Sequence, residues 1–283
     1  MLEAQLATVS TLWDEETVQT IGIFDSGVGG LTVAMAMRRH LPGEMLLYLG
    51  DTARLPYGTK SPETVVRYAL NAAAFLMERG IKMLVVACNT ASAQALPALI
   101  RAYPHLPVLG VVEPGAAAAC RRSTRGGIIV AATEGTCRSG AYERAIRAIR
   151  PEARVTTVPC PMFVALAEEG MTGGPIVEAM ARRYLAPLFA EGDNDCLVLG
   201  CTHFPLLAPT LTEVVGEAVA VVDCAEATAA EAAHQLAVRG IAAPPGPGGL
   251  TLLATDAPAR FTRIAEGLFP RLAPLPEVEV VDL

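Results

Sequence analysis

Two stretches of the chain, "VVACNTASAQ" (residues 85–94) and "LVLGCTHFPL" (residues 197–206), each carry an apolar run into a cysteine followed by polar residues. A lone cysteine near a histidine suits acyl transfer, because the imidazole takes the thiol proton and the thiolate attacks. Two cysteines at matched places suit another task. One thiolate removes a proton from a carbon while the other thiol delivers a proton to the opposite face, which inverts a stereocentre. A thiol of ordinary pKa, about 8.5, leaves a modest thiolate fraction at neutral pH, and nearby donors or cations raise it. Proton removal beside a carboxylate builds charge on that carboxylate, so preorganised donors must surround it. Ser26, Asn89, Thr90 and Thr202, with the backbone amides around Gly27 and Gly58, are the donors at hand. Any one buried cysteine is more often a small hydrophobe than a reactive group. Only as a pair do Cys88 and Cys201 point to chemistry.

The residues that could do this chemistry sit where strands should end. Apolar, β-branched runs at 20–24, 44–50, 82–88, 106–112, 126–132, 153–159, 196–201 and 218–223 alternate with longer helical patterns. Such continuous apolar strands indicate parallel sheets covered on both faces. In open parallel sheets ligands bind beyond the carboxyl ends of the strands. Asp25 and Ser26 follow the first run, Asp51 and Thr52 the second, Asn89 and Thr90 the third, and Thr202 and His203 the seventh. In "SPETVVRYALNAAAFLMERG", Ser61 can cap a helix, Pro62 fits its first turn and Gly80 can stop it.

"IGIFDSGVGGLTVAMAMRR" and "GGIIVAATEGTCRSGAYERAIR" both run strand, polar turn, helix, and each is followed later by a strand running into a cysteine. The fold expected is therefore α/β, with two similar lobes built on mainly parallel sheets, related by a pseudo-two-fold axis, and the site between them. Residues 1–20 form an N-terminal extension, residues 21–113 with 225–283 the lobe of Cys88, and residues 114–224 the lobe of Cys201. The stretch "APPGPGG" (243–249) reads as a linker, after which a strand and a helix return to the first lobe.

Composition excludes several classes. With 283 residues, 52% of them hydrophobic, the chain can bury a large core. Its net charge of −7 and the lack of a basic run argue against nucleic acid. No apolar run reaches the roughly 18–20 residues that span a bilayer, and the first twenty residues do not resemble a secretory signal, so a soluble, cytoplasmic protein is expected. Seven cysteines without a C-x-x-C pair argue against a disulfide framework or a zinc ribbon.

"DSGVGG" invites a nucleotide reading, but "GVGGLT" has Thr32 where a dinucleotide motif needs its third glycine. It is read instead as a carboxylate-binding turn, with a purely structural turn as the alternative. Lys60 and Lys82 are the only lysines, and neither has the surroundings of a pyridoxal-phosphate Schiff base. The four histidines lack metal-ligand spacing, and His40, His105 and His234 read as surface or packing residues. No metal and no cofactor are expected.

"IGIFDSGVGGLTV", "GDTARLPYGTKS", "VVACNTASA" and "LVLGCTHFPLL" together resemble the signature blocks of the glutamate racemases of the Asp/Glu racemase family, in order and in spacing, from about residue 20 to 268. The resemblance implies cofactor-independent interconversion of L- and D-glutamate, supplying the D-isomer for peptidoglycan precursors. By position, Cys88 and Cys201 would be the acid/base thiols, Asp25 the assistant of Cys88 and His203 that of Cys201. Substrate contacts would come from Asp25, Ser26, Tyr57, Gly58, Asn89, Thr90, Thr202 and His203. Asp51 matches an acidic position of the family, and in "CPMFVALAEEG" the alignment favours Glu168 over the adjacent Glu169 as a further assisting acid. The resemblance also implies a homodimer. In members with an N-terminal extension, which here holds Trp13, that extension can contribute to regulation by a cell-wall precursor; a terminus that merely packs is the alternative.

Three other readings stay open at this level. One is a racemase of a related amino acid such as aspartate; another is a Cys-dependent amidohydrolase, which leaves the second thiol without a role. The third is a binding protein that holds an amino acid between two lobes.

Overall fold

The computed structural model describes residues 20–269 and 275–283. In chain order the strands are β1 (Thr20–Asp25), β2 (Met45–Gly50), β3 (Ile81–Val86), β4 (Val108–Gly110), β5 (Gly127–Ala132), β6 (Arg154–Pro159), β7 (Cys196–Gly200), β8 (Ala220–Asp223), β9 (Gly249–Ala254) and β10 (Val278–Val280). They form two sheets, ordered β10-β9-β2-β1-β3-β4 and β6-β5-β7-β8. Every pairing is parallel. The two sheets therefore repeat one plan: β2-β1-β3-β4 in the first and β6-β5-β7-β8 in the second. β1 corresponds to β5, and β3, which leads to Cys88, corresponds to β7, which leads to Cys201.

The central strands β3, β5 and β7 are buried along their whole length, which is why they read as unbroken apolar runs. β6 differs. As an edge strand it is partly exposed throughout, and its polar residues face water. β4 is only three residues long, shorter than its apolar run. The third strand stops at Val86, and Cys88 is instead the N-cap residue of the next helix.

The helices are α1 (Leu31–His40), α2 (Pro62–Met77), α3 (Asn89–Ala102), α4 (Val112–Arg122), α5 (Glu134–Ser139), α6 (Ala141–Ile149), α7 (Pro161–Glu168), α8 (Pro175–Phe189), α9 (Ala208–Val215), α10 (Cys224–Arg239) and α11 (Pro258–Leu268). Ser61 caps α2 by accepting from the Thr64 amide at 3.4 Å, and Asp223 caps α10 by accepting from the Ala225 amide at 2.8 Å. Gly80 follows α2 with φ +70°, a left-handed conformation that suits glycine.

One buried apolar cluster runs from Ile21 and Ile23 of β1, through α1, α4 and α10, to Ile128 and Val130 of β5. The lobe boundaries expected near residues 113 and 224 fall at α4 and α10, in this shared layer. The outer faces have separate clusters, one around Phe24, Leu84 and Val86 and one around Phe163, Leu197 and Phe204. The stretch read as a linker is tied down: the Gly248 amide donates to Pro42 O and the Ala243 amide to a carboxylate oxygen of Glu44. β9 then adds to the first sheet beside β2, as the return of the tail required. The extension at residues 1–20, Trp13 included, lies outside the described residues apart from Thr20.

Candidate active site

In a sheet ordered 2-1-3, the crevice opens where neighbouring strands send their connections to opposite faces. That point lies between β1 and β3 in the first sheet and between β5 and β7 in the second. β1 ends in Asp25, with Ser26 next, and β3 is followed by Cys88 at the N-cap of α3 and by Asn89 and Thr90, the first two residues of that helix. The second lobe contributes Thr133 and Thr136 after β5, and Cys201, Thr202 and His203 after β7.

Asp25 is fully buried and accepts a hydrogen bond from the Gly27 amide at 3.0 Å and from Thr202 Oγ1 at 3.4 Å. The glycines of "DSGVGG" have a visible packing role. A Cβ at Gly29 would lie 2.6 Å from Thr202 Oγ1 and 2.7 Å from His203 Nδ1, and one at Gly30 would lie 2.5 Å from Asp25 Cβ. The turn is bare so that the second lobe can close onto its backbone. Burial raises the Asp25 carboxyl above the usual carboxylate range, with His203 opposing.

Cys88 is buried, and its thiol hydrogen-bonds Ser26 Oγ at 3.6 Å. Burial, then the nearby charges of Asp25 and Cys201, push it up to about 12, against the Ala91 amide and Ser26. In the protein alone Cys88 is thus a thiol, a proton donor. Asp25 reaches it through its charge, not through a hydrogen bond. Next to Cys88, Asn89 Oδ1 accepts from Tyr142 Oη at 2.6 Å. Thr90 Oγ1 lies 2.9 Å from Thr133 Oγ1 and 3.3 Å from Thr136 Oγ1, so three hydroxyls from both lobes gather at one point.

On the other side, Cys201 Sγ lies 3.8 Å from His203 Nδ1. His203 Nε2 lies 3.4 Å from Glu168 Oε1, an ion pair too poorly aligned to count as a hydrogen bond. Glu168 in turn lies 3.6 Å from the Arg260 guanidinium. Burial pushes His203 down, but Cys201, Glu168 and Asp25 outweigh it and hold the imidazole up at about 10. Burial likewise pushes Glu168 up, and His203 and Arg260 outweigh it, so its carboxyl sits below the usual range. Of the two neighbouring acids, Glu168 is the one beside His203, with a side chain 13% exposed, while that of Glu169 is 73% exposed.

The loop after β2 closes the site from the side. Tyr57 Oη donates to Asp51 Oδ2 at 2.5 Å, while Asp51 Oδ1 accepts from Arg54 and Thr255, both at 2.9 Å. With its hydroxyl engaged, Tyr57 anchors the loop, and Asp51 is the hub that holds it. Gly58 packs on the second lobe so closely that a Cβ there would lie 2.6 Å from Thr133 Cβ. A cleft of about 200 Å³ runs beneath, lined by Leu55, Gly58, Thr133, Pro161, Val164 and Glu168 among others.

Thr133, Thr136, Tyr142 and Arg260 were not candidates from sequence. The first two had a signal: "TEGT" stands after β5 where "DSGV" stands after β1. Tyr142 and Arg260 had none. The remaining histidines are apart from the cleft; His40 bonds Glu226 at 2.9 Å, while His105 and His234 are exposed. Lys82 is buried against Glu44 at 2.7 Å. Among the described residues no group of three or more His, Cys, Asp or Glu side chains is placed to hold a metal ion, and no helix is long and apolar enough to cross a membrane.

The arrangement sets two thiols after corresponding strands, each with its own polar partners, among hydroxyl and amide groups drawn from both lobes. Residues 31–232 match the family model described as Asp/Glu/Hydantoin racemase. The glutamate racemase of Geobacter metallireducens is 53% identical over 249 residues, covering 87% of this chain and 91% of that protein. The crystal structure of glutamate racemase isoform RacE1 from Bacillus anthracis superposes with a TM-score of 0.89 at 39% identity, covering 94% of this chain and 98% of that one. The glutamate racemase of Francisella tularensis, solved in complex with D-glutamate, gives a TM-score of 0.87 at 31% identity over the same shares. The chain belongs to the Asp/Glu/Hydantoin racemase family, on its glutamate racemase branch.

Proposed function

We propose that this protein interconverts L- and D-glutamate without a cofactor, by proton transfer between the α-carbon and two thiols, Cys88 and Cys201. The observation that carries the reading is the placement of these thiols after corresponding strands of two like sheets, whose following turns meet where Thr202 Oγ1 donates to Asp25 at 3.4 Å. One sulfur, as thiolate, takes the α-proton. The electron pair left behind is shared with the α-carboxylate, and the opposite thiol returns a proton to the other face.

Ser26, Asn89, Thr90 and Thr202 supply donors, with Thr133 and Thr136 beside Thr90. His203, protonated up to about pH 10, stands 3.8 Å from Cys201 as its proton partner and is held by Glu168. Cys88 has Ser26 and the charge of Asp25 instead. Glutamate as substrate follows from the relatives, which carry that name over nearly their whole length. The product would feed peptidoglycan precursors made in the cytoplasm.

The test is incubation of purified protein with each enantiomer in deuterated buffer without added cofactor. Loss of optical activity with deuterium at the α-carbon is expected. Ammonia release without α-deuterium would replace this reading with a thiol amidohydrolase, and turnover of aspartate alone would move the substrate. The reading includes a homodimer, checked by light scattering. It also includes regulation through residues 1–20, checked by deleting them and assaying with and without a cell-wall precursor.

A further inference from the structure

We infer that Tyr142 is a positioning residue for substrate binding: from the second lobe it fixes the amide of Asn89 so that the amino group faces the cleft. This deepens the proposed function and rests on it. Tyr142 lies on α6 and is 1% exposed, and Asn89 opens α3 of the first lobe. Their 2.6 Å separation fits an O–H···O bond rather than an N–H···O bond, whose usual length is about 2.9–3.0 Å. The tyrosine is therefore the donor and the amide oxygen the acceptor, which turns Nδ2 the other way. Nδ2 of Asn89 bonds to no described residue, yet it is not fully enclosed by the protein. An NH2 group held there offers two protons to a carboxylate.

The phenol is itself held in place by close packing. Cys224 Sγ lies 3.1 Å from Tyr142 Oη and donates to Leu199 O at 3.6 Å, so the sulfur packs against the phenol oxygen while the phenol proton goes to Asn89. Room for that sulfur comes from Gly115 on α4, where a Cβ would lie 2.5 Å from Cys224 Sγ and 3.4 Å from Tyr142 Oη. Burial raises the phenol well above its ordinary pKa, so it keeps its proton at any working pH. Cys224, Tyr142 and Asn89 form a chain of contacts across the lobes in which the Tyr142–Asn89 bond has a fixed direction. A phenylalanine would keep the ring and lose only the direction.

The test measures L- and D-glutamate binding by calorimetry, alongside racemisation. Tyr142→Phe should weaken binding and raise KM about tenfold, the worth of one hydrogen bond to a charged or well-aligned partner, with kcat changed by no more than about threefold. In an Asn89→Ala background, Tyr142→Phe should add nothing. Wild-type affinity in Tyr142→Phe, or an undiminished further loss in the double variant, would overturn the inference. Asn89→Asp gives a check with Tyr142 intact. It keeps the acceptor for the phenol but replaces the amino group by an oxygen, so it should bind glutamate more weakly than Asn89→Ala; binding equal to or tighter than that of Asn89→Ala overturns the inference. Wild-type protein that binds glutamate but exchanges no α-proton defeats the proposed racemisation while the role of Tyr142 is still read from affinity. Wild-type protein that does not bind glutamate defeats both.

Discussion

Glu168 Oε1 lies 3.4 Å from His203 Nε2, while the other ring nitrogen of His203 lies 3.8 Å from Cys201 Sγ. A carboxylate, an imidazole and a thiol thus stand in line on one side of the cleft. On the other side Cys88 has no imidazole beside it among the described residues; its side-chain partner is the hydroxyl of Ser26 at 3.6 Å.

Glu168→Gln removes the anion that helps keep His203 charged. A fall in kcat/KM of about ten- to a hundredfold is expected, the worth of an interaction with a charged partner. Glu169→Gln, at an exposed side chain, should stay within about twofold. Steady-state kinetics of the two variants side by side separates the neighbours.

His203 also sets a pH dependence of stability. Its pKa is raised from 6.5 to about 10 on folding, so its contribution is fully present below about pH 6.5 and is lost as pH rises through about 10. Glu168, held below its ordinary 4.5, contributes at higher pH and loses that contribution as pH falls through its lowered value. Urea denaturation of wild type and of His203→Asn across the alkaline window should show the decline in the first and a flatter profile in the second.

Gly29→Ala tests the close approach of the lobes. The added methyl would lie 2.6 Å from Thr202 Oγ1 and 2.7 Å from His203 Nδ1, so one of the two turns must shift. A loss of about 1–3 kcal/mol in unfolding free energy is expected, as for other insertions into packed sites. Activity should fall further than that loss explains, because both displaced groups stand beside Cys201. Denaturation and kinetics on the same preparation measure the two effects.

Cys88→Ser and Cys201→Ser should each lower kcat by about a hundred- to ten-thousandfold, the usual span for removing an acid or base. Glutamate affinity should change little in either. Near wild-type turnover in one of them would show that its sulfur takes no part, and circular dichroism of the reaction mixture gives the rate directly.

Much of the fold was legible because β3, β5 and β7 are covered on both faces and must be apolar throughout. The likeness of the lobes was visible for the same reason, as strand, polar turn and helix recur in order. β10 escaped notice because it is a three-residue edge strand whose residues are all at least partly exposed. The resemblance favoured Glu168 over Glu169, but periodicity alone does not separate them, since adjacent residues at a helix end differ only in the side they face. Tyr142 and Thr133 were missed for a deeper reason. Their partners Asn89 and Thr90 lie in the other lobe, and which side chains meet across a cleft is decided by the docking of the lobes.

The unequal company of the two thiols has a measurable consequence of a different kind. Mirror-image substrates have equal free energy in free solution, so the equilibrium constant between them is unity and the Haldane relation ties the two values of kcat/KM together. No substitution around Ser26 or around His203 can favour one direction in that ratio. The difference between the sides must show instead in how each direction divides kcat/KM into its factors, and in unequal primary deuterium isotope effects for the two enantiomers.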